Sequence, residues 1–263
     1  MTFQPVVPTD GIGGWKFLQR TYDTQFETFS KSAQLERDTT YFEKNIAEVK
    51  TAADLVANKR LLRVALGAFG LSEDINSNYF IQKILEDGTE ADDALANRLS
   101  DQRYQDFSKA FGFGPGEVRK TGFLTDMSAV VNQHRTESFE QAVGETDDSM
   151  RVALYAQREL TELAESDSSD TAKWFTIMGL PPLREMFEVA LALPRGLAKI
   201  DLDQQLGIFK DKLHSVTGSS DISQFTEPDA MERLTNLYLA RSQINGLGDG
   251  YSSGATALAL LQS

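Results

Sequence analysis

Cysteine is absent from the 263-residue chain, which removes disulfides, thiolate nucleophiles and cysteine-ligated metals together. Histidine is almost absent as well. His134 and His214 are the only two, and neither belongs to a two-histidine metal motif. A histidine beside charge, as in His134-Arg135, reads as a solvated side chain. No stretch reaches the ~20 apolar residues of a membrane span, and the start MTFQPVVPTDGIGG has neither the basic beginning nor the apolar run of a signal peptide. Positive charge is also short: 26 Lys and Arg against 39 Asp and Glu leave a formal charge of −13. A nucleic-acid backbone, an anionic membrane and membrane insertion are therefore not expected. A basic partner fits better, although acidity also serves plain solubility.

What is present is apolar content, 41% of the chain, enough to bury a substantial core in one large domain or two ordinary ones. The spacing predicts an all-α protein, a bundle-like array of many helices. Residues 1 to about 13 hold Pro5, Pro8, Gly11, Gly13 and Gly14 and read as an extended or mobile lead-in. Trp15, Phe17, Leu18, Tyr22, Phe26 and Phe29 then recur at three- and four-residue steps, one aromatic face of a helix continuing to about Gln34. A second helix is expected over Thr39 to Glu48. Thr51-Ala52-Ala53-Asp54 matches a capping box that opens a helix running to Gly70. Tyr79 to Leu85 predicts the next helix, closed by Asp87-Gly88, and Leu95 to Phe107 another. Gly112-Phe113-Gly114-Pro115-Gly116 forces a break.

Beyond the break, Thr121 to Thr161 is helical in spacing, and Glu162 to Asp170 reads as an acidic loop before Trp174. Pro181-Pro182 launches a helix that Pro194 ends, Asp201 to Leu213 forms the next, and Thr226-Glu227-Pro228-Asp229 starts a last long one. Laying RLLRVALGAFGLS over PLREMFEVALALP pairs Leu61 with Leu183, Ala68 with Ala190, Phe69 with Leu191 and Leu71 with Leu193. Two similar helical halves from an internal duplication, or helical hairpins alike only in apolar spacing, both account for that match. The resulting division is a lead-in and amphipathic helix over 1–40, helical halves over 41–120 and 121–244, and a tail over 245–263. The tail is glycine-rich and then apolar, and Leu258, Leu260 and Leu261 are expected to dock on this chain or another.

Motifs with chemistry fall short. Asp74, Asn76 and Asn78 occupy the first calcium-loop positions, but Tyr79 and Leu85 stand where the turn glycine and bidentate glutamate belong. Ser72, Asp74 and Asn76 read more simply as helix caps. Gly112, Gly114 and Gly116 lack a preceding strand and a Gly-Lys-Ser/Thr, and Pro115 removes an amide that a phosphate would need. Arg60, Arg63, Arg98 and Arg103 lie beside apolar positions and are expected to form ion pairs with Asp54 or Asp101. No catalytic, cofactor-binding or metal residue stands out, and none is assigned.

Three blocks carry a resemblance: RLLRVALGAFGL with Asp74-Ile75; LANRLSDQRYQDFSKAFGFG; and KWFTIMGLPPLREMFEVALALP followed by IDLDQQL. From about Tyr41 to Gln243 the chain resembles the alphaproteobacterial domain of unknown function 1217 family, whose members tend to be encoded among flagellar genes. The resemblance implies an all-helical protein connected with flagellum assembly or motility and brings no catalytic residues; the leading expectation is a non-enzymatic protein that binds another flagellar protein, as an assembly factor or a structural part. It implies residence in the bacterial cytoplasm, or in the flagellum after export through the flagellar channel. A cytoplasmic motility regulator is an alternative, as is a small-ligand protein or hydrolase with a pocket between helical halves. The expected interaction residues are Trp15, Phe17, Leu18, Tyr22, Phe26 and Phe29 with Leu258, Leu260 and Leu261.

Overall fold

A computed structural model describes residues 3–194 and 196–250, among which there are thirteen α-helices and no strand. The tail leucines Leu258, Leu260 and Leu261 lie outside the described residues. Compact packing divides the chain into two units, one of residues up to Val6 with Thr21–Val143 and one of Val7–Arg20 with the chain from Gly144 onward. Helix α1 (Gly11–Ser30) thus gives its first half to the second unit and its second half to the first. The packing groups α8 (Leu124–Gly144) with residues 21–120, because Met127, Val130 and Val131 enter the same core as Leu61 and Leu66.

In the first unit, α2 (Ala33–Asn45), α3 (Ala52–Ala57) and α5 (Asn78–Asp87) surround α4 (Lys59–Ala68) or one another. Seven of the ten α4 residues, Leu61, Leu62 and Val64 to Ala68, are buried. The free amides and carbonyls at the two ends of a helix need partners, and here the protein supplies some at each end. Asn58 satisfies the start, its Oδ1 accepting from the amides of Arg60 and Leu61 at 3.2 Å each. Gly70 satisfies the end at φ 66°, with the Leu71 amide donating to the Leu66 carbonyl at 2.9 Å. The Thr51 capping box forms as expected, with Asp54 accepting from the Thr51 amide and Thr51 from that of Asp54.

The expected single helix from Thr51 to Gly70 is instead two, because Asn58 turns extended, at φ −96° and ψ 90°, ending α3 and opening α4. The lead-in also differs from a loose segment. Helix starts at Gly11, and Val6 is held by Gln25, whose side chain accepts from the Val6 amide at 2.6 Å and donates to its carbonyl at 3.2 Å. After α6 (Leu95–Arg98) and α7 (Arg103–Phe111), the glycine-rich break is a turn. A Cβ on Gly114 would lie 2.3 Å from the Gly88 Cα, so two backbones touch where no side chain fits.

The second unit packs α9 (Asp148–Glu165), α11 (Pro181–Ala190) and α13 (Pro228–Gly250) together, with α10 (Asp170–Gly179) and α12 (Leu202–Thr217) completing it. Trp174 centres its aromatic core, with Phe187 at 5.5 Å and Phe209 at 5.9 Å, and its indole N–H donates to the Ser220 carbonyl at 3.1 Å. Helix α9 runs into the first part of the expected acidic loop, to Glu165, since Ala164 is a buried position on its face.

The two units repeat one device. Leu180 joins α10 to α11 as Asn58 joins α3 to α4, with φ −102° and ψ 108° against φ −96° and ψ 90°. The register that pairs Leu61 with Leu183 pairs Asn58 with Leu180 and Gly70 with Ala192. Among the described residues Ala192 is the non-glycine residue with positive φ, 49°, and the Leu193 amide donates to the Glu188 carbonyl at 2.8 Å, the same closing bond as at Leu71. A side chain in the left-handed region is strained. Ala192→Gly is therefore expected to raise stability by about 1 kcal/mol. Gly70→Ala is expected to lower it by about 1–2 kcal/mol. Urea unfolding midpoints check both signs.

Candidate functional site

The aromatic face expected on α1 is divided between the units. Trp15 and Leu18 are wholly buried in the second, where Phe17 is half-buried. Tyr22, Phe26 and Phe29 meet in the first around the buried Phe139 of α8, at 5.3, 5.6 and 5.6 Å between ring centroids, each edge-on. Tyr22 also stacks on Phe26 at 5.7 Å. Edge-on contacts of this kind add to apolar burial. Phe29 is buried by them, while Phe26 and Tyr22 keep part of their surface.

The free side of Phe26 opens into a cleft of about 510 Å³ bounded by Glu27, Ser30, Lys31, Glu36 and Arg135. The Ser30 hydroxyl is buried there without a hydrogen-bond partner. A second cleft of about 440 Å³ shares Glu36 and runs over Ala33, Arg37, Thr40, Tyr41 and Lys44 to Arg60. Residues 33, 37, 40, 41 and 44 follow the three- and four-residue steps of one helix face, so this is the outer face of α2.

Below that face lies a fixed polar network. Asp38, with 10% of its side chain exposed, accepts from Arg60 Nε at 2.9 Å and from Gln34 Nε2 at 2.5 Å. The Arg60 guanidinium lies 4.3 Å from the Tyr41 ring centre, and its Nη2 donates to the Arg37 carbonyl at 2.8 Å. Asn58 Nδ2 donates to the Tyr41 hydroxyl at 3.1 Å, tying the joint before α4 to α2. Arg60 was expected opposite Asp54, but Asp54 is engaged in its capping box, and the partner is Asp38. Arg103 does pair with Asp101, at 2.7 Å, and donates to the Gly70 carbonyl, also at 2.7 Å.

His134 is buried, not solvated. Its place follows from the α8 face of Met127, Val130 and Val131, which 134 continues. Nδ1 has no hydrogen-bond partner, and it lies where a Cβ on Gly67 would approach within 2.6 Å. Burial depresses the imidazole to about 4; Asp38 opposes the shift and Arg135 adds to it.

The chemistry-bearing motifs are occupied structurally. Tyr104 donates to Asp74 Oδ2 at 2.7 Å, and Lys59 is bonded to Asn78 and the Ile75 carbonyl. Ser77 rather than Ser72, Asp74 or Asn76 stands at the start of α5, with no side-chain cap bond. Glu117 accepts from the Gly114 amide at 3.1 Å and the Thr89 amide at 2.7 Å, so the glycine turn encloses a carboxylate of its own. Among the described residues no group of three or more His, Asp or Glu is placed to hold a metal ion, and no helix is long and apolar enough to cross a membrane.

The second unit has a cleft of about 400 Å³ bordered by Asp10, Asp147, Asp148, Ser242 and Gln243. Asp147 caps α9, accepting from the Ser149 amide at 3.0 Å, and Asp148 pairs with Arg151 at 2.6 Å. Behind them, Tyr238 donates to Glu185 at 3.2 Å; burial, then the nearby Asp148 charge, pushes the Glu185 carboxyl above its ordinary range. This network holds α9, α11 and α13 together.

The sequence reading missed Arg37, Lys44 and Arg135. The signal was present in the four- and seven-residue steps from Arg37 to Tyr41 and Lys44. Arg135 joins them only through the packing of α8 beside α1 and α2.

The profile of a family described as "Protein of unknown function (DUF1217)" matches residues 68–231. No curated protein matches the chain. The X-ray crystal structure of protein AGR_C_984 from Agrobacterium tumefaciens is similar in fold, with a TM-score of 0.70 and 23% identity over 89% of this chain and 97% of that one.

Two outcomes follow from the network. An unfolded His134 takes its proton near pH 6.5, whereas the folded one holds out to about 4, so the unfolded state binds more protons between those values. Stability is then expected to fall as pH drops through that window, by up to about 3 kcal/mol. His134→Gln should flatten this part of a pH–stability profile measured by denaturant unfolding. Arg60→Ala, which leaves Asp38 buried without its cation, is expected to cost about 2 kcal/mol after allowance for the exposed part of the arginine. Lys31→Ala, at an open ion pair, should leave the same unfolding midpoint essentially unchanged.

Proposed function

The chain belongs to the DUF1217 family of proteins of unknown function, and from that premise we propose that it is a non-enzymatic protein that binds another flagellar protein, as an assembly factor or an incorporated part. The observation that carries the binding role is the outer face of α2. An apolar floor at Phe26 and Tyr41 is bordered there by Arg37, Lys44 and Arg135, none of which has a carboxylate within ion-pair distance among the described residues. Cations left without carboxylates beside apolar surface favour an external partner over internal stability. The flagellar setting rests on the resemblance of the three sequence blocks, whose relatives tend to be encoded with flagellar genes.

We infer also that the units descend from a duplicated helix–joint–helix element. The support is the shared register of Asn58 with Leu180 and Gly70 with Ala192, positions alike in backbone conformation though unlike in residue type. Burial agrees along it, Leu55 and Leu61 matching Ile177 and Leu183 at 0–1% exposure.

The role is tested by location. The protein is quantified in cytoplasm, purified flagella and medium, in normal cells and in cells with a disabled flagellar export channel. An incorporated part is expected in purified flagella only when the channel works. An assembly factor stays inside and co-purifies with a flagellar protein. Retention inside with no flagellar protein attached, and normal flagella after gene deletion, would overturn the binding role in favour of a cytoplasmic motility regulator.

A further inference from the structure

Charge is unevenly spread along this acidic chain. Residues 31–63 carry seven Lys and Arg against five Asp and Glu, a local +2, while all other residues together carry −15. Of these seven cations, Arg37 and Lys44 stand on the outer face of α2, and Lys31 and Arg60 border the clefts beside it. Lys31 is neutralised by Glu27 at 2.5 Å and Arg60 by Asp38 at 2.9 Å. Arg37 and Arg135 donate only to neutral oxygens, Arg37 to Gln34 at 2.8 Å and Arg135 to Asn132 at 3.2 Å and the Thr39 hydroxyl at 3.5 Å. Two carboxylates line the clefts: Glu27, which Lys31 neutralises, and Glu36, at the point the clefts share.

From Ala33 to Lys44 the face runs about 17 Å, three turns of helix. Phe26 gives one apolar end and Tyr41 the other, the latter kept in place by the Arg60 guanidinium and the Asn58 amide. Apolar surface at Phe26 and at Tyr41, in two adjoining clefts with cations beside each, suits an amphipathic helix laid along this face, its apolar residues down and its acidic residues toward the cations. A flat anionic membrane would meet the field of the remaining −15, and a small anion would leave the apolar floor unused.

We propose that this groove receives an acidic amphipathic helix of a partner protein, with Phe26 and Tyr41 as its floor and Arg37, Lys44 and Arg135 as its charge-selecting rim. The proposal deepens the binding role above and depends on it. Complementary rim charge chiefly sets partner choice and encounter rate, and its effect weakens as salt screens it.

The probe is a labelled synthetic helix of about 18 residues with leucines at i, i+3, i+4 and i+7 and glutamates elsewhere. Its twin has lysines in place of the glutamates. Binding to the full chain is read by fluorescence anisotropy at about 0.05 and 0.3 M NaCl. The glutamate helix is expected to bind, more weakly at the higher salt, and the lysine twin not to bind. The double variant Arg37→Glu/Lys44→Glu, both on exposed positions, should weaken binding about tenfold. Lys212→Glu/Arg233→Glu, exposed in the second unit and identical in net charge change, should leave it intact. Circular dichroism and thermal midpoints verify that both doubles fold, and Arg135→Gln provides a milder rim change if the first does not.

Equal binding of both helices, no binding of either, or equal loss in the two doubles would overturn the groove. So would concentration-dependent self-association removed by Arg37→Glu/Lys44→Glu, which would assign the face to a second copy. Any of these alongside correct flagellar location or flagellar-protein co-purification sinks the groove and leaves the binding role standing. Failure of both together sinks the role itself.

Discussion

The first unit depends on the burial of α4. A ten-residue helix with seven residues in the core presents most of its surface to other elements, and the protein itself supplies partners for backbone groups at both of its ends. Asn58 and Gly70 meet that constraint at opposite ends, and both extend it outward. Asn58 also bonds the Tyr41 hydroxyl, which places α2, and the carbonyl of Gly70 takes Arg103, which places α7. Arg60, the second residue of α4, then sets the Asp38 and Tyr41 contacts beneath the outer face of α2. The groove is in this sense the outside of a helix whose inside is dictated by α4.

Much of the architecture could be seen in the sequence because its devices are local. The Thr51–Asp54 box, the stops at Gly70 and Gly88 and the start at Pro228 each depend on residues within four positions of one another. What escaped notice depends on tertiary context. Asn58 opens a polar stretch of only three residues, Asn58-Lys59-Arg60, between apolar runs, too short a lapse to announce an extended residue between two helices. Ala192 occupies a conformation that sequence rules reserve for glycine, and only the bonds of the turn around it hold it there. His134 was assigned by its charged neighbour when its helical face was the better guide.

The candidate site divides along the same line. Tyr22, Phe26 and Phe29 could be picked out as aromatic residues on one face, but their meeting point, Phe139, is more than a hundred residues away in sequence. The α2 cations stand at helical steps and were available to inspection, yet they carry no motif, and local counting sees only a mixed-charge helix. Their significance comes from which carboxylates do not reach them, and that is a property of three-dimensional placement.

The Gly88–Gly114 contact closes a segment of about 26 residues, whereas the bond from Thr121 Oγ1 to the Val49 carbonyl, at 2.8 Å, closes one of 72. Loop-closure entropy separates these events by about 1 kcal/mol, and helix pairs of short range form fastest. Assembly of the first unit is accordingly ordered in time: the α5–α7 segment meets itself early through bare backbone, and the seam between Val49 and Thr121 is sewn afterwards. Any side chain added at Gly88 or Gly114 would act on the early step, and so on how fast the unit forms as well as on how stable it becomes.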